Sequence, residues 1–269
     1  MEKKNISLEL FCVTNKKLLF LEKTPLKLAA VGNDNFSDKY IRCDDKINIY
    51  EKEKYYSELT FHYWYWKNYL TKANKDWIGF CQKRRFWIKS DNNKELINVD
   101  NLNDHLITNI DLKLDNYESI ICNPIYISGA KKIKIIKRGW RNLIRNPSII
   151  FNNKKETISV HFDIHHGYKN LEKASKLLDD SDKNDFLSYI NNKTFFNPHI
   201  MCIARPEILD KWFCSLFPWL EKCEKEFGFK NLKGYDTMRL YAYLAERYLS
   251  FWFKKYTKYK EQPWISLVL

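Results

Sequence analysis

Residues 56–87 read YSELTFHYWYWKNYLTKANKDWIGFCQKRRFW, and two patterns meet in them. Ser57 stands where an N-cap would accept a backbone N–H, and Leu59, Tyr63, Trp66 and Leu70 follow at helical spacing on one face. Phe61, Trp64 and Tyr65 fill the other faces. A helix apolar nearly all round is buried on several sides. After a polar break, Trp77 to Cys81 is an apolar run of strand length, and Gln82-Lys83-Arg84-Arg85 closes it. A buried strand that follows a helix and ends in cations fits an α/β sheet, where ligands bind beyond the carboxyl ends of the strands.

Working outward, Ile6 to Val13 reads as a buried strand and Lys17 to Leu21 as a second. Pro25 to Val31 is another apolar run, ended by Gly32, and Asn33 to Asp45 is loop-like. Ile88 to Asp115 is mixed helix and loop. Ser119 to Ile127 is a strand that Pro124 places at an edge or a terminus. Thr157 to Phe162 reads as a strand and Tyr168 to Leu178 as a helix. The last third is helical. Pro206 suits a first turn; Ile208, Trp212, Leu216, Leu220 and Cys223 make a stripe that Pro218 would kink; a last helix runs from about Asp236 to Lys255. The expectation is an α/β fold with a helical C-terminal part, in a single domain over 1–269 that is strand-rich in 1–165 and mainly helical in 166–269.

Hydrophobic residues make up 45% and aromatics 16% of the chain, enough for a packed core and against disorder. The apolar runs are far shorter than the ~20 residues of a membrane span. Glu9, Lys16 and Lys17 interrupt any apolar leader, so a cytoplasmic chain without a signal peptide is expected. Seven scattered cysteines without a CxxC pair favour reduced thiols over disulfides or zinc. The net charge of +13 suits polyanions: nucleic acid, anionic lipid headgroups or diphosphates. A Lys-, Asn- and Ile-rich composition from an AT-rich genome gives the same excess. Residues 131–145 interleave Lys and Arg with Ile and Trp, either as a segment for peripheral contact with anionic membrane or as an exposed basic loop.

Arg84 and Arg85 either suit a diphosphate, because guanidinium forks pair with phosphate oxygens, with one of the two reaching it if the chain is extended there, or form a solvated basic turn. Hard Mg²⁺ or Mn²⁺ would need carboxylates. The one literal DxD, Asp180-Ser181-Asp182, follows a helix and reads as a solvated cap; Asp163-Ile164-His165 follows the expected strand and is the better metal candidate. Neither makes a metal-ligand set by spacing, so no metal ligand is assigned, and Mn or Mg stays admissible as a cofactor. Asp163 and His166 are candidates for a general base, with helix capping as the competing role for His165 and His166. Arg239, Tyr243 and Glu246 share a helical face that either lines a site or holds an ion-pair network.

YSELTFHYWYWKN and WIGFCQKRRFW resemble the signatures ysELTalYWiWKN and yvGLcHYRRyf of a domain family from capsule, exopolysaccharide and O-antigen synthesis loci. The likeness keeps its order along the chain. Val31-Gly32 resembles the family's vG, Asp44 with Asn48-Ile49 its D…NI, and Phe162 with His166 its Y…H pair. Asn197 to Met201 resembles N-x-fim, and Arg239 with Ala245-Glu246-Arg247 resembles R…laEr. The resemblance implies a GT-A-like, Rossmann-type sheet and an inverting hexosyltransferase, with galactofuranosyl transfer among its members. Its partners would be a UDP-linked nucleotide-sugar donor and a glycan or lipid-linked glycan acceptor at the inner face of the membrane. Donor binding would fall to Gly32, Asp44, Gly79, Arg84, Arg85 and Arg239, and catalysis to Asp163, His166 and Glu246. Two departures stand out: the family's His-Tyr is Gln82-Lys83 here, and the acid of its D-x-x-x-P strand is missing at Cys122-Asn123-Pro124. A non-catalytic relative is one alternative. A nucleic-acid-binding protein stacking bases on its aromatics is another, though no recognised motif supports it and no nucleic acid is expected.

Overall fold

The apolar run before Asn15 forms β1 (Leu8–Thr14), an inner strand of the main sheet in a computed structural model that describes residues 6–92, 94–110, 116–127 and 156–268. The other strands are β2 (Lys27–Ala30), β3 (Tyr40–Arg42), β4 (Trp77–Gln82), β5 (Arg85–Trp87), β6 (Ser119–Cys122), β7 (Ile125–Tyr126), β8 (Phe195–Phe196), β9 (Cys202–Ala204), β10 (Tyr259–Gln262) and β11 (Trp264–Ser266). The main sheet has the order β10-β6-β9-β4-β1-β2-β3. Pairs β1–β2, β2–β3, β1–β4 and β6–β10 are parallel; β9 runs antiparallel between β4 and β6, and β5 and β11 form an antiparallel branch from β4. Parallel strands are covered on both faces, which is why β4 is buried at every residue.

The helices are α1 (Glu53–Tyr56), α2 (Leu59–Asn68), α3 (Leu102–His105), α4 (Ile158–His166), α5 (Asn170–Ser175), α6 (Asp180–Asn192), α7 (Pro206–Phe227), α8 (Tyr235–Met238) and α9 (Leu240–Tyr256). Two compact units emerge. The first is Met1–Asn123, His199–Ser215 and Trp252–Leu269; the second is Pro124–Pro198 and Leu216–Phe251.

The first unit carries the main sheet. Phe11 of β1 meets Phe61 and Tyr65 of α2 at 5.3 and 4.9 Å, so the aromatic helix lies on that sheet face. Leu10, Cys12, Leu28 and Cys81 face the other side and pack with Trp87, Leu102 and Ile203. Each fully buried large side chain contributes about 1.5–3 kcal/mol. The second unit is helical, with a short β7–β8 pair. Its core gathers Phe186, Trp219 and Tyr248, and the Trp219 indole donates to the Ala174 carbonyl at 2.8 Å. No helix among the described residues is long and apolar enough to cross a membrane.

Several expectations need correction. Ser57 is not the N-cap of α2: it sits at φ 52° at the end of α1, its N–H bonded to the Glu53 carbonyl, and Glu58 precedes α2. Lys17 to Leu21 turns instead of pairing, and Leu21–Lys23 is a 3-10 turn. Thr157 to Phe162 is not a strand. Thr157 accepts from the Val160 N–H and caps α4, so the β-branched run there winds into a helix. His165 and His166 therefore end α4 rather than starting the next helix. The last helix breaks at Arg239 into α8 and α9. Residues 131–145, the expected membrane-contact segment, lie outside the described residues.

Candidate functional site

Parallel pairing puts the carboxyl ends of β1, β2, β3 and β4 on one edge of the main sheet, where α/β folds bind ligands. Each strand delivers something different there. At the end of β1, the Thr14 hydroxyl donates to the Lys16 carbonyl (2.6 Å) and accepts the Lys16 N–H (3.0 Å), which bends the chain and sets Asn15 on the rim. The Asn15 amide nitrogen donates to Glu53 (3.4 Å), and its oxygen accepts from the Lys83 ammonium (2.6 Å).

Beyond β2, Gly32 adopts φ 73°, a region that strains other residues, and its carbonyl accepts the Tyr50 hydroxyl at 2.5 Å. Asn33 and Arg42 also meet that hydroxyl. The Lys17 N–H bond holds the Asp34 carboxyl below its ordinary value. Beyond β3, Asp44 is paired with Arg42 at 2.8 Å, and burial pushes the neighbouring Cys43 thiol up to about 12, so it is an inert thiol.

Beyond β4, the Lys83 N–H still reaches the Val13 carbonyl, so the rim is stiff up to the basic turn. The Arg84 carbonyl accepts from Leu267, and among the described residues no side chain pairs with its guanidinium. Arg85 donates to Gln82 at 3.0 Å, while its buried Nε has no partner among the described residues. Lys16, Lys83, Arg84 and Arg85 thus share one rim with an amide and a carboxylate. Of the expected donor-binding residues, Gly32, Asp44, Arg84 and Arg85 lie on this edge.

Gly79 does not lie on it. It is buried in the middle of β4, and a Cβ there would stand 2.6 Å from Ile203 and 2.8 Å from Leu10. Packing across three strands is the physical reason for glycine at that point.

The second unit holds the other four residues. His166 Nδ1 lies 2.7 Å from the Asp236 carbonyl, which places the proton there, and the ring stacks on Tyr243 at 3.7 Å. Burial, with Arg247 nearby, pulls His166 down to about 3, so it is neutral and a weak base at pH 7. Asp163 lies within α4 and accepts the Lys169 N–H at 2.8 Å, a bond that supports the left-handed turn at Lys169. Glu246 is ion-paired with Arg247, whose buried guanidinium lies 3.9 Å from the Phe196 ring. Arg239 ends α8, and its carbonyl accepts the Tyr243 N–H.

The DxD is not the solvated cap the sequence suggested. Asp180 is exposed and paired with Lys183, but Asp182 is buried and accepts the Tyr248 hydroxyl at 2.6 Å. Asp44 is held by Arg42, and Asp45 by the Trp64 indole. No three His, Cys, Asp or Glu side chains gather as a metal site among the described residues. Asp44, Asp45 and Asp182 are each engaged by a protein partner and do not converge as the carboxylate set a hard cation needs.

Sequence reasoning missed Asn15, Tyr50, Glu53 and Arg247 as partners in these clusters. A polar residue directly after a buried strand would have pointed to Asn15. Nothing local links Glu53 to it, because 38 residues separate them.

A family model described as Domain of unknown function (DUF4422) matches residues 9–258. The chain belongs to the DUF4422 family. No curated protein matches this DUF4422 chain in sequence. Its structure is similar to that of the apo WbbM bifunctional glycosyltransferase, with TM-score 0.67 and 17% identity, over 98% of this chain and 46% of that one. The DUF4422 chain thus spans less than half of WbbM, and the likeness shows a glycosyltransferase-like, GT-A-like fold.

Proposed function

We propose that this DUF4422 chain is a glycosyltransferase that takes a hexosyl group from a UDP-linked donor to a glycan or lipid-linked glycan acceptor in surface-polysaccharide synthesis. The observation that carries the reading is the basic rim of Lys16, Lys83, Arg84 and Arg85 beside Asn15 and Glu53, on a glycosyltransferase-like fold. The Asn15 amide and the Glu53 carboxylate suit the hydrogen-bonding groups of a nucleoside. The cations suit its diphosphate, and they neutralise the charge that builds on the leaving group as the glycosidic bond breaks.

In an inverting transfer, the acceptor hydroxyl attacks the anomeric carbon and loses its proton to a base, and UDP leaves from the opposite side. Within the second unit, His166 is a weak base, Asp163 accepts the Lys169 N–H and Glu246 is ion-paired with Arg247. A nucleic-acid role finds less support, because Phe11, Phe61, Trp64 and Phe80, which could have stacked bases, are core residues.

A thermal-shift comparison tests the reading. UDP at a hundred times its dissociation constant adds about 2.7 kcal/mol and raises the melting temperature by several degrees. Stabilisation by oligonucleotides and not by UDP would contradict it.

A further inference from the structure

The first unit carries a concavity of ligand size. A groove of about 880 Å³ runs between the segment from Lys94 to Asp100 and the segment from Trp264 to Val268. Its volume is within the range of small-molecule sites. Ile97, Ile265 and Leu267 are buried in its floor, and the indole of Trp264 is anchored by an N–H bond to the Asn123 carbonyl at 3.1 Å.

The charge of the lining separates this groove from the rim. Glu95 and Asp100 outweigh Lys94, in a chain whose net charge is +13. A diphosphate or an anionic headgroup would meet two carboxylates there. A neutral polyhydroxylated ligand would not: its C–H faces suit the apolar floor and the indole, and its hydroxyls suit Asn98, Asp100 and Ser266. The groove also adjoins the basic turn. In the β5–β11 pair Ser266 stands opposite Arg85, and the Leu267 N–H donates to the Arg84 carbonyl at 2.8 Å.

We propose that this groove binds the acceptor, a neutral oligosaccharide, next to the arginines assigned to the donor diphosphate; the acceptor role rests on the transferase reading above.

The test is calorimetric titration of the chain with neutral oligosaccharides released from the surface polysaccharide of the cells that make it, with UDP titrated in parallel. Trp264→Ala should weaken oligosaccharide binding about tenfold or more, as loss of an aromatic anchor does. Asp100→Ala, an exposed change that keeps the fold, should weaken it about fivefold, as loss of one hydrogen bond does. UDP affinity should stay the same in both variants. Unchanged oligosaccharide affinity in Asp100→Ala together with a folded Trp264→Ala overturns the proposal. So does a chain that binds UDP but none of the oligosaccharides, or a Trp264→Ala variant that changes only the oligomeric state. Oligosaccharide binding lost in the variants, from a chain that never binds UDP, keeps the groove as a glycan site and removes the transferase reading instead.

Discussion

The Lys83 ammonium donates to the Asn15 side-chain oxygen at 2.6 Å and so ties the carboxyl end of β4 to that of β1. Lys83 is also where the sequence departs from the resemblance to its family. Lys83→Met keeps the length of the chain and removes the charge. It should weaken UDP binding by about 1.5–3 kcal/mol, the value of a hydrogen bond from a charged group. Calorimetry reads this directly, and an unchanged dissociation constant would remove Lys83 from the donor site.

Arg84 has no side-chain partner among the described residues, whereas Arg85 is held by Gln82. Arg84→Ala should therefore leave stability within about 0.5 kcal/mol while reducing UDP affinity. It should also flatten the dependence of that affinity on salt, because one exposed charge has gone. Equal salt slopes in the variant and the parent would count against a diphosphate at this turn.

Gly79→Ala should destabilise the fold by about 1–3 kcal/mol, since the new methyl group would press on Ile203 and Leu10. Adding Ile203→Val should recover part of the loss. If urea midpoints stay the same while UDP affinity drops, Gly79 is a binding residue and the packing account fails.

The two aspartates of the DxD should behave differently. Asp182→Ala leaves the buried Tyr248 hydroxyl without its acceptor and should destabilise by about 1–3 kcal/mol. Asp180→Ala removes an exposed ion pair and should change stability by less than about 1 kcal/mol. If Asp180→Ala abolished Mn²⁺-dependent UDP binding, the DxD would be a metal site after all.

Acid should weaken the chain through two buried histidines. Burial pulls both His62 and His166 down to about 3 from an ordinary 6.5, with Arg247 adding to the effect at His166. Below pH 6.5 the unfolded chain takes up these protons first. The stabilisation from the neutral rings is complete above about 6.5 and is lost as the pH falls towards 3, at about 1.4 kcal/mol per pH unit for each histidine. Urea unfolding at pH 7.5 and pH 5.0 should show this loss, and His62→Phe with His166→Asn should flatten it. The same pH dependence in the double variant would contradict the burial account.

The main sheet was legible in the sequence because fully buried parallel strands leave unbroken apolar runs, as at Leu8–Thr14 and Trp77–Gln82. The aromatic helix was legible for a different reason: its apolar positions repeat at the helical period. Thr157–Phe162 misled, because Ile158 and Val160 favour strands and only the Thr157 cap and the packing of Phe162 decide for a helix. Arg84 and Arg85 announced themselves by position, directly after a strand. What joins them into a rim did not, since Asn15, Glu53 and Lys83 meet across three separate segments.

By itself, then, the sequence determined the α/β class, the strand that ends in cations and the family signature, all of which depend on neighbours along the chain. The tertiary structure alone decided that Gly79 is a packing residue, that Asp182 is buried and that His166 is a weak base. Burial and partners set those properties, and both come from residues far away in sequence.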